Sequence, residues 1–376
     1  MDYREFPHSR EKISTIGIGG ANLTALSDEE AKRVFDHALE SGINILDMAT
    51  DNVSSFSKVR KALDGRRDTI MISLHLGMTF QEDGQYMRVK DIDLVRQAFE
   101  KQLSALGTDY ADIAYIHYVD ALEDYDWVVS SGILDYAKQL KRDGHIRRLG
   151  FGSHRADMSR KLLATGEFDL FLFSINPAYD MDPVTHNPLE EDLSSLNSLT
   201  VAQERIELYR QAEGLGVGIT VMKPLGAGIL LDAKTSPFGR ALTTHQCIQY
   251  CLDRPGVLSC MIGLQSVEQL KGLLAYYDAT PEEKDYSFIA DMQPAQMLGK
   301  CVYCNHCLPC PVNINIGSVH KFIDLAQAGD ELARQHYLDL EHTAEDCIEC
   351  GSCEDNCPFK VAVREKMKEA AKLFGR

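Results

Sequence analysis

Eight of the eleven cysteines lie in two short runs near the C-terminus, CVYCNHCLPCP from Cys301 to Pro311 and CIECGSCEDNCP from Cys347 to Pro358. In the second run three cysteines stand two residues apart, a fourth follows after three more, and proline comes next; the first run differs only in a final gap shortened by one. Two intervening residues let one tight loop wrap a cuboidal cluster and carry three thiolates to three irons. The pattern therefore predicts two 4Fe-4S clusters, with Cys301, Cys304, Cys307, Cys310, Cys347, Cys350, Cys353 and Cys357 as ligands. Zinc would need only paired CxxC motifs, and it gives no reason for a third cysteine at the same interval or for a proline after each fourth one. Disulfides are disfavoured because the opening MDYREFPHSREK has no apolar leader stretch, which points to a reducing, cytoplasmic setting. Cys247, Cys251 and Cys260 read as buried small apolar residues.

A chain of 376 residues exceeds one ordinary core, and its cysteines gather in the last quarter, so two domains are expected, 1–277 and 278–376. The charged stretch 278–300, with Pro281 and Pro294, is the expected link. With 56 acidic against 39 basic residues the net charge is -17, which repels phosphate backbones and argues against a nucleic-acid partner. No apolar run approaches the roughly 18 to 20 residues of a membrane span. Short β-branched runs alternate with amphipathic helical stretches along the first domain. The strand candidates are Ile13–Ile18, Ile43–Asp47, Thr69–Leu74, Ile113–His117, Ile146–Phe151, Leu170–Ile175, Gly218–Met222 and Leu258–Ile262. Eight βα units in this length predict a TIM (β/α)8 barrel, with the site just beyond the strand ends, followed by a small, mainly α, iron–sulfur domain. A doubly wound sheet is the alternative. GIGG at Gly17 to Gly20 lacks the glycine spacing of a dinucleotide fingerprint and weakens it.

The chain resembles the aldo-keto reductases, in particular the bacterial branch with a C-terminal ferredoxin-like domain. The resemblance rests on SGINILDMA at Ser41 to Ala49, LGTDYADIAYIHYVD at Leu106 to Asp120, GHIRRLGFGSH at Gly144 to His154, GVGITVMKPLGAG at Gly216 to Gly228, and the cysteine runs. It implies reduction of aldehydes or ketones with NADPH by an Asp, Tyr, Lys and His at the barrel mouth; Asp47 and His117 match the Asp and His. In two-cluster ferredoxins the last cysteine of each run ligates the other cluster. That rule implies the sets Cys301, Cys304, Cys307, Cys357 and Cys347, Cys350, Cys353, Cys310.

Two members of the tetrad are replaced. Asn52 stands where the family has its Tyr, and His75 where it has its Lys; no tyrosine occurs between Tyr3 and Tyr86, and no lysine between Lys61 and Lys90. Asparagine cannot protonate a carbonyl oxygen, so His75 and His117 become the candidate acid/base pair, since imidazole titrates nearer neutrality than phenol. Tyr86, in the loop after the third strand, is a further conceivable acid. Each histidine also reads as a buried barrel residue satisfied by backbone. The arginine that would grip a 2′-phosphate is Gln265, and the family's adenine-contacting Asn is Leu273. By resemblance Ser153 and His154 meet the carboxamide, while Met222, Lys223, Pro224, Leu225, Gly226 and Gly228 form a turn able to hold a phosphate. The polar segment from Asp180 to Thr200 reads as a lid, a docking site or a plain surface insertion.

The expected function is an oxidoreductase acting on a small carbonyl or activated double-bond compound, with electrons passing through the two clusters. The alternative is an electron-transfer protein whose barrel docks a partner enzyme. A nicotinamide, NAD(P)H, is the expected organic cofactor. A flavin, here or in a redox partner protein, is the carrier that could reconcile hydride transfer with one-electron clusters.

Overall fold

The computed structural model describes residues 1–50, 53–80, 86–181, 201–291, 299, 301, 303, 305–327, 332–357 and 359–375. They divide into two compact units, Met1–Tyr286 and Ser287–Arg376.

In the first unit eight parallel strands close into a barrel: β1 (Ile16–Gly19), β2 (Ile45–Asp47), β3 (Met71–Leu76), β4 (Ala111–Ile116), β5 (Ile146–Ser153), β6 (Leu170–Ser174), β7 (Gly218–Met222) and β8 (Val257–Gly263). Each pairs with its sequence neighbour, and β8 returns to β1 from Cys260↔Ile16 to Gly263↔Gly19. This is the expected TIM barrel. Only β7 has the expected bounds; the other strands shift by one to three residues at one or both ends, and two of these differences have clear local causes. The run Ile13–Ile18 is split at Thr15, because Lys12–Ser14 pairs antiparallel with Tyr3–Glu5 and only Ile16 onward enters the barrel. Phe6 and Ile13 pack there with Ile45, Met71, Ile113 and Leu258, near the starts of the strands, so the hairpin closes that end of the barrel. The third strand starts two residues later and ends two later than expected. Arg67–Thr69 is drawn into a 3-10 turn by the bond from Thr69 Oγ1 to Arg66 O, which leaves His75 inside the strand.

The flanking helices start and stop where their side chains provide for it. Asp28–Glu40 opens with a capping box between Ser27 and Glu30 and buries Ala31, Val34, Phe35 and Ala38. Ile92–Leu106 is capped by Asp91 and ends at Gly107, whose φ of 69° is left-handed.

Asp180, expected at the start of an exposed polar segment, is instead fully buried in the short helix Pro177–Met181. Its carboxylate accepts from Arg205 Nε at 2.6 Å, Tyr209 at 2.5 Å and Tyr250 at 2.8 Å. The remainder of that segment, 182–200, lies outside the described residues.

The second unit is mainly helical, with Phe288–Asp291, Ile316–Gln327, Ala333–Leu338, Ser352–Asp355 and Val363–Phe374 as α-helices among its described residues. Its core joins Ile314, Val319, Ile323, Tyr337, Met367 and Phe374, with Tyr337 stacked on Phe374 at 4.3 Å. Cys307 and Cys357 are buried in this same core. Among the described residues, no helix is long and apolar enough to cross a membrane.

Candidate active site and cysteine centre

The strand ends bring three of the expected side chains together. Asp47 ends β2, His75 lies near the end of β3, and His117 follows β4, with its backbone N–H donating to Leu76 O at 2.8 Å. His75 Nε2 is 3.0 Å from Asp47 Oδ1, and His75 Nδ1 is 2.9 Å from His117 Nδ1. Ser73 donates to the same Asp47 oxygen at 2.5 Å. The three groups form one hydrogen-bonded chain running from buried carboxylate to half-buried imidazole. With Asp47 ionised, the bond assigns a proton to His75 Nε2; a neutral His75 then accepts at Nδ1 from His117 Nδ1–H. Burial pushes the His117 pKa well below its ordinary value, and the neighbouring His75, Arg88 and His154 push it further the same way. His117 is therefore neutral at neutral pH. Gly20 backs this site closely, since a Cβ there would lie 2.8 Å from Asp47 O.

Ser153 and His154, at the end of β5, are fixed by a carboxylate that sequence reasoning missed. Asp120 accepts from Ser153 Oγ at 2.9 Å, from the His154 backbone N–H at 2.7 Å, and pairs with His154 Nδ1 at 2.8 Å. Burial raises the Asp120 pKa, but these bonds and the His154 charge outweigh it and hold the carboxyl below its ordinary range. Arg88 was missed as well. It donates to Tyr118 O at 2.6 Å, lies 4.4 Å over the Tyr118 ring and pairs with Asp124 at 2.7 Å, placing a cation beside the histidines. Asp120 sits within a quoted motif, four residues beyond the β4 end, which was the available signal. Nothing in the sequence brings Arg88 to the mouth.

The turn after β7 is strained where it meets the mouth. Lys223, Gly226, Ala227 and Gly228 have φ of 57°, 56°, 54° and 93°, and Tyr118 beyond β4 has 60°. Non-glycine residues in that region cost about 1–3 kcal/mol each and cluster at functional sites. Asn176 anchors the turn by donating from Nδ2 to Lys223 O at 2.9 Å, and Lys223 Nζ lies 5.7 Å from the Tyr179 ring centre. Met222 and Leu225 are half-buried, Pro224 and Gly226 buried, and Gly228 exposed. Asn52 and the Tyr86 side chain lie outside what is described. Gln265 is exposed and Leu273 buried.

In the second unit Cys310, Cys347, Cys350 and Cys353 border one small cavity, together with Ile348 and Arg364. Among the described residues, no group of three or more His, Cys, Asp or Glu side chains converges closely enough to chelate a single ion. The Cys350 thiol is shifted down by hydrogen bonds from Ser352, which favours the thiolate a cluster needs. Cys304 lies outside the described residues. Cys247, Cys251 and Cys260 are fully buried in the first unit, and burial pushes the Cys247 thiol up to about 12.

Fold and site together define an eight-stranded barrel oxidoreductase joined to a cysteine-rich domain. The chain belongs to the aldo/keto reductase family, whose model matches residues 15–246, more than half its length. Residues 297–361 match the 4Fe-4S dicluster domain. An uncharacterized oxidoreductase of Bacillus subtilis, YqkF, is 24% identical over 292 residues, covering 72% of this chain and 89% of that protein. Aldo-keto reductase str7 of Strobilurus tenacellus is 25% identical over 301 residues, covering 75% and 78% respectively. Among solved structures, aldo-keto reductase AKR11C1 from Bacillus halodurans superposes with a TM-score of 0.60 at 23% identity, covering 78% of this chain and 97% of that one. At that identity it supports the barrel fold alone.

Proposed function

We propose that the barrel reduces or oxidises a small carbonyl or activated double-bond compound, with His117 as its acid/base and electrons passing through two 4Fe-4S clusters. The observation that carries this reading is the unbroken Asp47–His75–His117 chain, which a barrel serving only as a docking module has no need to keep. Reduction of a carbonyl to an alcohol takes two electrons and two protons; a bound nicotinamide would supply both electrons and one proton as hydride, and His117 the other proton. The clusters supply electrons singly, and two of them together hold the pair.

His117 Nε2 is the ring nitrogen that meets the substrate oxygen. When that nitrogen carries the proton to be donated and Nδ1 accepts from His75, the positive charge rests on His75 against the Asp47 carboxylate, away from the substrate; as Nε2 gives up its proton, Nδ1 takes the one from His75 and the pair returns to neutrality. Asp47 and His75 are thus positioning residues that fix the state and orientation of His117. Asn52, next to the site in sequence, takes the family's Tyr position without being able to serve as acid.

Ser153 and His154, held by Asp120, would position a nicotinamide carboxamide. Met222, Lys223, Pro224, Leu225, Gly226 and Gly228 would hold its phosphates. Hydride and single electrons exchange readily only through a flavin, which we place in a redox partner protein. The cluster ligand sets are Cys301, Cys304, Cys307, Cys357 and Cys310, Cys347, Cys350, Cys353, the second supported by the cavity those four share.

The test is kinetic. His117→Asn should lower the rate with any accepted substrate by about a hundredfold to ten-thousandfold while both clusters stay bound. Turnover at wild-type speed in that variant would remove His117 from the reaction.

A further inference from the structure

We propose that His320 donates a hydrogen bond from Nε2 to a sulfur of the first cluster, the one assigned to Cys301, Cys304, Cys307 and Cys357, and so raises the reduction potential of that cluster. The proposal rests on the two-cluster reading above and adds to it a residue that sets the two clusters apart.

The helix Ile316–Gln327 meets the first cysteine run along one stripe. Gly317, His320 and Asp324 are three and then four residues apart, so these positions share a helix face. Gly317 faces Asn305, between Cys304 and Cys307, so closely that a Cβ there would stand 2.5 Å from Asn305 Oδ1. Further along the same face, Asp324 accepts from the hydroxyl of Tyr303, between Cys301 and Cys304. His320 lies between these two contacts. Its helix neighbours Val319 and Ile323 share one apolar core with Cys307 and Cys357, against which Cys301 packs. The described lining of the cavity bordered by Cys310, Cys347, Cys350 and Cys353 includes Ile316 and not His320, so the ring belongs with the first set of ligands rather than the second.

His320 is 3% exposed, and its Nε2 has no hydrogen-bond partner among the described residues. Native interiors rarely keep a buried polar nitrogen unpaired. The charged groups that act on the ring are engaged elsewhere. Asp324 accepts from Tyr303, Lys366 pairs with Glu369 at 2.7 Å, and the other Glu369 oxygen accepts from Gln327 at 2.5 Å. A neutral imidazole with its proton on Nε2 needs an acceptor, and the sulfurs of a cluster are acceptors that carry negative charge. Reduction of such a cluster adds one electron and no proton. An N–H aimed at its sulfurs favours the more negative, reduced state, which is why hydrogen bonds to sulfur are among the factors that set the potential.

The experiment is an anaerobic redox titration of the full-length protein followed by electron paramagnetic resonance, with wild type, His320→Leu and His320→Gln in parallel and iron and sulfide counted in each. His320→Leu should weaken reduction of one cluster about tenfold, ~59 mV for one electron, and leave the other in place. The signal that moves should be the one that persists in Cys350→Ser. His320→Gln, which can present an N–H at similar reach, should recover most of the shift. A second reading leaves His320 untouched and so decides the matter if its variants lose iron. With histidine isotopically labelled at its ring nitrogens, pulsed measurements should show a nitrogen coupling to the reduced first cluster in wild type and equally in His306→Gln, which removes the histidine within the run. Potentials unmoved in His320→Leu with all iron retained, an equal shift of both clusters, or no histidine coupling in His306→Gln would overturn the proposal. A wild type that holds no pair of clusters would overturn the two-cluster reading itself, and the proposal with it.

Discussion

Two imidazoles that share one proton cannot each choose their charge, and in this barrel the choice is made by Asp47. Replacing His75 by Leu should therefore depress turnover and shift its pH profile, because His117 loses the partner that fixes its tautomer. His75→Gln, which can still donate to Asp47, should recover part of the loss. A pH profile unchanged in both variants would show that the pair plays no part. Stability follows from the same residues. The folded-state pKa values of His117 and His154 are depressed, chiefly by burial, so the unfolded chain binds protons that the folded one refuses. Their contribution is complete above about pH 6.5 and is lost as pH falls toward the folded values. The thermal midpoint should drop between pH 7.5 and 5.5, with a shallower drop in His117→Asn. At this scale the sequence showed Asp47, His75 and His117 as neighbours of strand ends, since strand position is local. It could not show the bond between His75 and His117. That contact depends on pairing between β3 and β4, where His75 lies opposite Tyr115 and the chain must run two residues further to reach His117.

The elements that hold the site derive from nearby chemistry in some places and from distant partners in others. Strand count and order were legible because each βα unit repeats the same alternation of pattern. The split of the first strand was not, because Ile13, Ile16 and Ile18 read as one β-branched run and only pairing with Tyr3–Glu5 separates Lys12–Ser14 from Ile16–Gly19. Asp180 was misplaced for a similar reason, since its partners Arg205, Tyr209 and Tyr250 lie 25 to 70 positions away. The fully buried Arg205–Asp180 pair gives a sharp test at this scale. Arg205→Met leaves a carboxylate buried without its counter-charge, and should cost about 3–5 kcal/mol in urea unfolding of the barrel. A loss under ~1 kcal/mol would show that Tyr209 and Tyr250 suffice.

For the whole molecule, the cysteine spacing was the most legible feature, because cluster ligation is a local geometric demand written directly into sequence intervals. What the barrel acts on was not legible, since substrate choice resides in side chains that several loops bring together. Anaerobically prepared protein should hold about eight irons and eight sulfides per chain. Cys350→Ser should lose close to half of them, and a colourless protein with stoichiometric zinc would contradict the cluster assignment. The most direct measurement of the central claim starts from protein with both clusters reduced anaerobically. Cluster absorbance is followed as small carbonyl and activated-alkene compounds are added together with a nicotinamide dinucleotide and a trace of FMN, which stands in for the partner's flavin, with wild type and His117→Asn in parallel. The account predicts that at least one compound reoxidises the wild-type clusters and is itself reduced, and that the variant is slower by about a hundredfold or more with its clusters intact. Equal rates in the two proteins, or reoxidation by a partner protein and by none of the compounds, would contradict it.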